Sequence, residues 1–283
     1  MKLSIIIPTC DRPQLLKRAV TSVLSNGGNC CEVIVVDDGL EKSASTLSFG
    51  GDIKMITTPG RTGASAARNL GANHATGEYL LFLDDDDVFQ NDYVGDVLKH
   101  IFSTDHKVGA CNTSTKTFVT SNTIITKSNK LKHALFGAGM GFWIEREFFL
   151  QLGGFDEELT IDEDTDFCVR IRANATPIFV SAVVGVSISP DEKSEEQSDR
   201  LTRSTEVKKI AESYARTANK YLSNPNLSFG DKWFLISRSA RTVARVQHAN
   251  LDIKPAQDHP IWALVHRVIV FTKQTFGRSS SMN

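Results

Sequence analysis

The stretch Gly77-Glu78-Tyr79-Leu80-Leu81-Phe82-Leu83-Asp84-Asp85-Asp86-Asp87 decides the fold. A short apolar run, opened by a glycine, ends abruptly in four consecutive carboxylates. Tyr79 to Leu83 is too short for a helix and apolar throughout, the pattern of a strand covered on both faces in a parallel sheet. The four aspartates then stand at its carboxyl end, where open α/β sheets hold their ligands. Four adjacent like charges repel one another and need compensation. A divalent cation supplies it, since hard carboxylate oxygens suit Mg2+ or Mn2+ and the phosphates of a ligand complete the shell. A solvated acidic turn is the rival reading, disfavoured by the apolar strand directly before it.

Outward from this stretch the chain alternates strand and helix. Leu3 to Ile7 is a β-branched run stopped by Pro8, and Asp11-Arg12-Pro13 opens a helix with Asp11 as its candidate cap. Leu15, Leu16, Ala19, Val20, Val23 and Leu24 keep helical spacing. Val33 to Val36 is a second strand, ending in Asp37-Asp38-Gly39. Lys54 to Thr57 is a third strand and Ala64 to Ala75 a helix. This rhythm predicts a parallel α/β sheet of nucleotide-binding type. Alone, Asp37 and Asp38 read as a strand-ending turn; beside a second acidic edge they become candidate ligand contacts.

Later elements are less regular. Tyr93, Val97, Leu98 and Ile101 predict a helix, while Val108 to Asn112 and Thr117 to Ile125 read as strands. Gly137 to Gly141 is a glycine-rich loop that fits no phosphate-binding pattern. A helix spans Glu145 to Leu152. Carboxylates at Asp162, Glu163, Asp164 and Asp166 open another. Acids at a helix start complement its dipole, which explains one or two of these four.

Net charge is −1, so composition gives no call for nucleic acid. The balance is uneven: residues 200–283 carry 14 basic and 5 acidic side chains, residues 1–199 carry 18 and 28. Around 231–249, Arg238, Arg241, Arg245 and His248 form one helical stripe opposite Trp233, Ile236, Ala240 and Val243. Ile261 to Phe271 is apolar on most sides yet too short to span a bilayer. Residues 190–206 read as an exposed loop or lid. Five cysteines without a CxxC pair point to a reduced, cytoplasmic compartment. The amino terminus has too short an apolar run for a signal peptide.

Taken together, Ser4 to Thr9, Val33 to Gly39, Gly63 to Gly71, Phe82 to Asp87, Gly153 to Glu157 and Glu163 to Asp166 resemble the family 2 glycosyltransferases, inverting enzymes with a GT-A fold, over about the first 180 residues. The resemblance implies a mostly parallel sheet flanked by helices, with a catalytic domain at 1–190 (donor part about 1–90, acceptor and base part about 91–190) and a helical basic region at 191–283. It also implies roles. Pro8, Thr9 and Asp11 would line the nucleobase pocket, and Asp38 would accept from the uracil imide. Gly63 and Arg68 would lie near the nucleotide, with Asp84 and Asp85 at the donor. Asp84 and Asp86 would hold Mn2+ or Mg2+, and Asp164 would be the general base. The partners implied are a UDP-sugar and a glycan or lipid-linked acceptor, with peripheral contact to an anionic membrane through 231–276, or a homodimer, as readings of the tail. Departures are Cys10 where relatives often carry an aromatic residue, Asp11 where they carry Asn, and no histidine in Val183 to Pro190, so the metal is expected to have one or two protein ligands. The rivals are a sugar nucleotidyltransferase and an inert nucleotide-sugar binder.

Overall fold

The computed structural model describes residues 3–27, 30–114, 123–125, 140–174, 176, 178–188, 207–245 and 255–276. The strands are β1 (Leu3–Thr9), β2 (Glu32–Asp37), β3 (Ile53–Thr57), β4 (Tyr79–Leu83), β5 (Asp87–Phe89), β6 (Val108–Ser114), β7 (Thr123–Ile125), β8 (Met140–Glu145) and β9 (Ile178–Ile188). They form one sheet in the order β3-β2-β1-β4-β8-β6-β9-β5, with β7 on β9. The helices are α1 (Pro13–Ser25), α2 (Ala64–His74), α3 (Tyr93–Ser103), α4 (Arg146–Gln151), α5 (Glu163–Ala173), α6 (Val207–Tyr221), α7 (Phe229–Val243) and α8 (Pro260–Phe276).

Alternation along the central strands sorts the core into two layers, because successive side chains of a strand point to opposite faces. Leu3, Ile5 and Ile7 join Val33, Val35, Leu81 and Leu83 against α1 and α3. Ile6 joins Ile34, Val36, Leu80 and Phe82 on the other face. There Phe142, Phe149, Phe155 and Phe167 complete an aromatic cluster, with Phe155 and Phe167 centroids 4.8 Å apart, and this cluster seats the start of α5. β4 is covered on both faces as expected, yet only one neighbour is parallel: it pairs parallel with β1 and antiparallel with β8. Burial on both faces demands a helix layer on each side, not parallel neighbours, so the sequence pattern cannot distinguish the two.

Since β2 and β4 flank β1, the chain leaves β1 in both directions, and the crevice at the carboxyl ends of β1, β2 and β4 is a topological switch point. A third cluster joins Cys168 and Val169 of α5 to Tyr221, Leu222, Leu235 and Ile236, so α6 and α7 pack directly on α5. The basic stripe is divided: Arg241 and Arg245 are exposed, Arg238 pairs with Asp162, and His248 lies outside the described residues. Also outside them are Gly137 to Gly139, residues 190–206, and part of the strand expected over 117–125. Gly141 belongs to β8, not to a loop.

Candidate active site

Burial alternates through the acidic run: Asp85 and Asp87 are buried, Asp84 and Asp86 partly exposed. Asp85 points back beneath the sheet edge. It accepts from Thr9 Oγ1 at 2.7 Å and Arg12 Nε at 3.1 Å, and Arg12 Nη2 lies 2.5 Å from its other oxygen. Burial pushes the Asp85 carboxyl up to about 7 against the pull of Arg12 and Thr9. Asp85 therefore ties the end of β4 to Thr9 of β1 and to Arg12. Asp84 Oδ1 takes Arg68 Nη2 at 2.6 Å, and Arg12 Nη1 stands 3.8 Å from Asp86. Part of the compensation that four aspartates require thus comes from two arginines.

Oxygens of Asp84, Asp86 and Asp87 lie within 4.8 Å of one another. Three hard donors at that spacing fit a Mg2+ or Mn2+ ion with room for ligand phosphate. Asp87 is an addition to the pair expected from sequence. It opens β5, and only the turn of Asp84 to Asp87, closed by Asp87 N donating to the Asp84 carbonyl at 3.1 Å, returns it to its neighbours.

At the end of β2, Asp37 accepts from the backbone of Gly39 at 2.9 Å and Ala44 at 3.1 Å and shapes the turn. Asp38 is more heavily engaged. Its Oδ1 takes Thr58 Oγ1, Thr62 N at 2.8 Å and Thr62 Oγ1 at 2.7 Å, and its Oδ2 takes Gly63 N at 2.8 Å. Burial raises its pKa, but these donors outweigh it and hold the carboxyl below its usual range. Among the described residues Oδ2 takes Gly63 N alone. Gly63, at φ 99°, is the residue before α2 and adopts a backbone that side chains disfavour.

Asp11 does not cap α1. The helix has Arg12 at that position and no side-chain cap, while Asp11, in left-handed backbone, accepts from Leu40 N and Glu41 N at 3.3 Å each. Gly39 is obligatory opposite it, since a Cβ there would sit 2.1 Å from Asp11 Oδ1. Pro8 and Thr9 close β1 at the crevice, both buried.

Arg68, buried in α2, links the two acidic regions: it holds Asp84 on one side and Glu163 Oε1 at 3.2 Å on the other. Its burial penalises the charge, but the two carboxylates prevail and raise its pKa. In the second acidic run each neighbour of Asp164 has its own cation. Asp162 is held by Arg238, Glu163 by Arg68, and Asp166 by Arg170 Nη2 at 2.7 Å, Lys220 at 2.9 Å and the Tyr221 hydroxyl at 2.7 Å. Asp164, partly exposed, takes among the described residues only donors of its own helix turn, Thr165 N at 2.6 Å and Thr165 Oγ1 at 3.4 Å. From sequence Arg12 and Glu163 carry no role of their own, and Arg238 only a place in the basic stripe of the tail. Nothing in their spacing signals partners as distant as 73 to 95 residues.

Comparison with known proteins agrees with this geometry. An uncharacterized glycosyltransferase of Haemophilus influenzae is 27% identical over 232 residues, covering 77% of this chain and 79% of its own. A GalNAc(5)-diNAcBac-PP-undecaprenol beta-1,3-glucosyltransferase of Campylobacter jejuni is 31% identical over 97 residues, 30% of each chain. Among solved structures, S. aureus TarS 1-349 in complex with UDP-GlcNAc matches with a TM-score of 0.64 at 18% identity, over 96% of this chain and 81% of that one. Mannosyltransferase PcManGT from Pyrobaculum calidifontis, in complex with GDP-Man and Mn2+, matches with a TM-score of 0.59 at 14% identity, over 98% and 88%. These structures share the GT-A fold. The family model for glycosyl transferase family 2 covers residues 4–167, more than half of the chain, and the protein is therefore a family 2 glycosyltransferase.

Proposed function

We propose that this enzyme moves a sugar from a UDP-sugar to a hydroxyl of a glycan or lipid-linked acceptor with inversion, in bacterial surface polysaccharide synthesis. The observation that carries the reading is Asp164. It is the one carboxylate of its run without a cation among the described residues, and its neighbour Glu163 is tied through Arg68 to Asp84 of the acidic strand end. As base, Asp164 takes the acceptor hydroxyl proton while that oxygen attacks the anomeric carbon. The bond from the anomeric carbon to the diphosphate breaks in the same displacement, so no protein nucleophile is needed. Pro8, Thr9 and Asp38 Oδ2 hold the uracil, and Arg68 orients Asp84 and Glu163 about the reacting bond. A divalent ion at Asp84, Asp86 and Asp87, when bound, supplies Lewis-acid stabilisation of the leaving diphosphate.

Incubation with UDP-sugars, Mn2+ and candidate acceptors tests this. Release of UDP with a glycosylated product is expected; release of pyrophosphate would identify a nucleotidyltransferase, and binding without turnover an inert protein.

The lipid-linked reading of the acceptor draws support from α8. Ile261, Leu264, Val268 and Phe271, spaced three and four residues apart, are 53% to 77% exposed, with Arg267 and Lys273 beside them. Among the described residues no helix is long and apolar enough to cross a membrane. An apolar ridge with basic neighbours instead suits peripheral binding at the inner face of the cytoplasmic membrane. Co-sedimentation with anionic liposomes at low salt is expected; a stable dimer that ignores them would assign the ridge to self-association.

A further inference from the structure

Outside the acidic strand end, a dense polar cluster lies where α6 and α7 meet the turn entering α5. Asp162 adopts left-handed backbone at φ 76°, a conformation that costs free energy and persists only where its surroundings hold it. Those surroundings come from the C-terminal helices. Ser213 of α6 donates its hydroxyl to the Ile161 carbonyl at 2.5 Å. Arg238 of α7 donates through Nη1 to the Asp162 carboxylate and to Thr165 Oγ1, the latter at 2.5 Å, with its guanidinium 3.8 Å from the centre of the Tyr214 ring.

The Thr165 hydroxyl is the junction. It accepts from Arg238 with one lone pair, its hydrogen is shared between the carboxylate of Asp162 and Asp164 Oδ1, the latter at 3.4 Å, and Thr165 N holds the same Asp164 oxygen at 2.6 Å. Both interactions fall on one oxygen of Asp164. Its Oδ2 has no hydrogen-bond partner among the described residues. Held by Thr165 through one oxygen, Asp164 keeps the other for a ligand proton.

We infer that Arg238 is a positioning residue for sugar transfer, acting through Thr165 to fix Asp164 so that Oδ2 receives the acceptor proton. The C-terminal helices thereby become part of the active site, although their sequence lies outside the family match. The inference rests on the reading of Asp164 as base.

The test uses the full chain and compares kcat, donor KM and melting temperature for Arg238→Ala, Arg238→Lys, Thr165→Val and Asp164→Asn. Arg238→Ala is expected to lower kcat by roughly ten- to a hundred-fold, the usual weight of groups that orient a reactive ligand, with donor KM unchanged within about twofold. Arg238→Lys recovers part of the loss, because an ammonium reaches Asp162 but lacks the planar fork that bridges to Thr165. Thr165→Val leaves the Arg238 pair with Asp162 in place and lowers kcat by a similar factor. The Arg238→Ala/Thr165→Val double variant is no slower than the poorer single, as two steps of one relay require. Wild-type kcat in Thr165→Val would overturn the inference, as would an Arg238→Ala loss that disappears once the folded fraction is counted. If Arg238→Ala does not fold, Thr165→Val decides alone. Should Asp164→Asn keep full turnover, the base reading itself fails; should it be inactive while Arg238→Ala and Thr165→Val are normal, this inference alone falls.

Discussion

Two stretches of this protein each pack four carboxylates into four or five residues, and the fold uses them in opposite ways. Asp84 to Asp87 sit at a strand end, where burial alternates and the oxygens of Asp84, Asp86 and Asp87 converge within 4.8 Å. Asp162 to Asp166 sit at a helix start, where the side chains fan out around the axis and three of the four find separate cations. Convergence suits the proposed cation site, and dispersal leaves Asp164, the proposed base, without a cation among the described residues. The density of charge is the same in both; the geometry of the backbone beneath it sets the chemistry.

The largest expected effect breaks the converging cluster. Asp86→Ala should abolish transfer and the metal-dependent part of UDP binding while the melting temperature holds, because Asp86 is partly exposed and contributes little packing. Undiminished activity of the variant in EDTA-treated buffer would remove the strand end from the reaction. Next comes the dispersed run. Asp164→Asn keeps shape and most hydrogen bonding but cannot take a proton, so turnover should fall by roughly two to four orders of magnitude with donor affinity nearly unchanged. A collapse of donor affinity with normal turnover would make Asp164 a binding residue.

Asp166→Asn, two positions away, sharpens the contrast. It strips the charge that Arg170, Lys220 and Tyr221 converge on, and removing one partner of a buried pair costs about 3 kcal/mol. Urea denaturation should show that loss, while kcat per folded molecule falls far less than in Asp164→Asn.

The smallest effect lies with Asp85. Its carboxyl is pushed by burial up to about 7 from an ordinary 3.8, so between those values the folded chain holds a proton that the unfolded chain sheds. Stability then falls as pH rises through that window. Asp85→Asn removes the slope, and its urea midpoint should shift less between pH 5 and 7 than that of the wild type.

Much of the sheet around the acidic strand end is legible in the sequence. The runs Leu3 to Ile7, Val33 to Val36 and Tyr79 to Leu83 are apolar enough to specify buried strands, and each is followed by the polar residues that a sheet edge must present. Local pattern suffices there because the strand ends bring Thr9, Asp38 and Asp84 together through one topological rule. Asp11 was misread as a helix cap, since its left-handed backbone and its bonds to Leu40 and Glu41 depend on a loop some thirty residues away. Arg238 reads from sequence as one of a basic stripe. Its helical spacing is that of a solvated face, and only the seating of α7 on α5 turns it toward Asp162.

By itself, then, the sequence determined the strand and helix rhythm, the two acidic runs and the family, because periodicity and charge density are local properties of the chain. Only the tertiary structure decided which carboxylates are braces, which converge and which has no cation among the described residues, and that the C-terminal helices hold the turn beside Asp164. Those outcomes depend on arginines paired across 73 to 95 residues. A salt bridge between distant segments leaves no periodic trace in sequence: its partners are chosen by the packing of sheet and helices, not by their spacing along the chain.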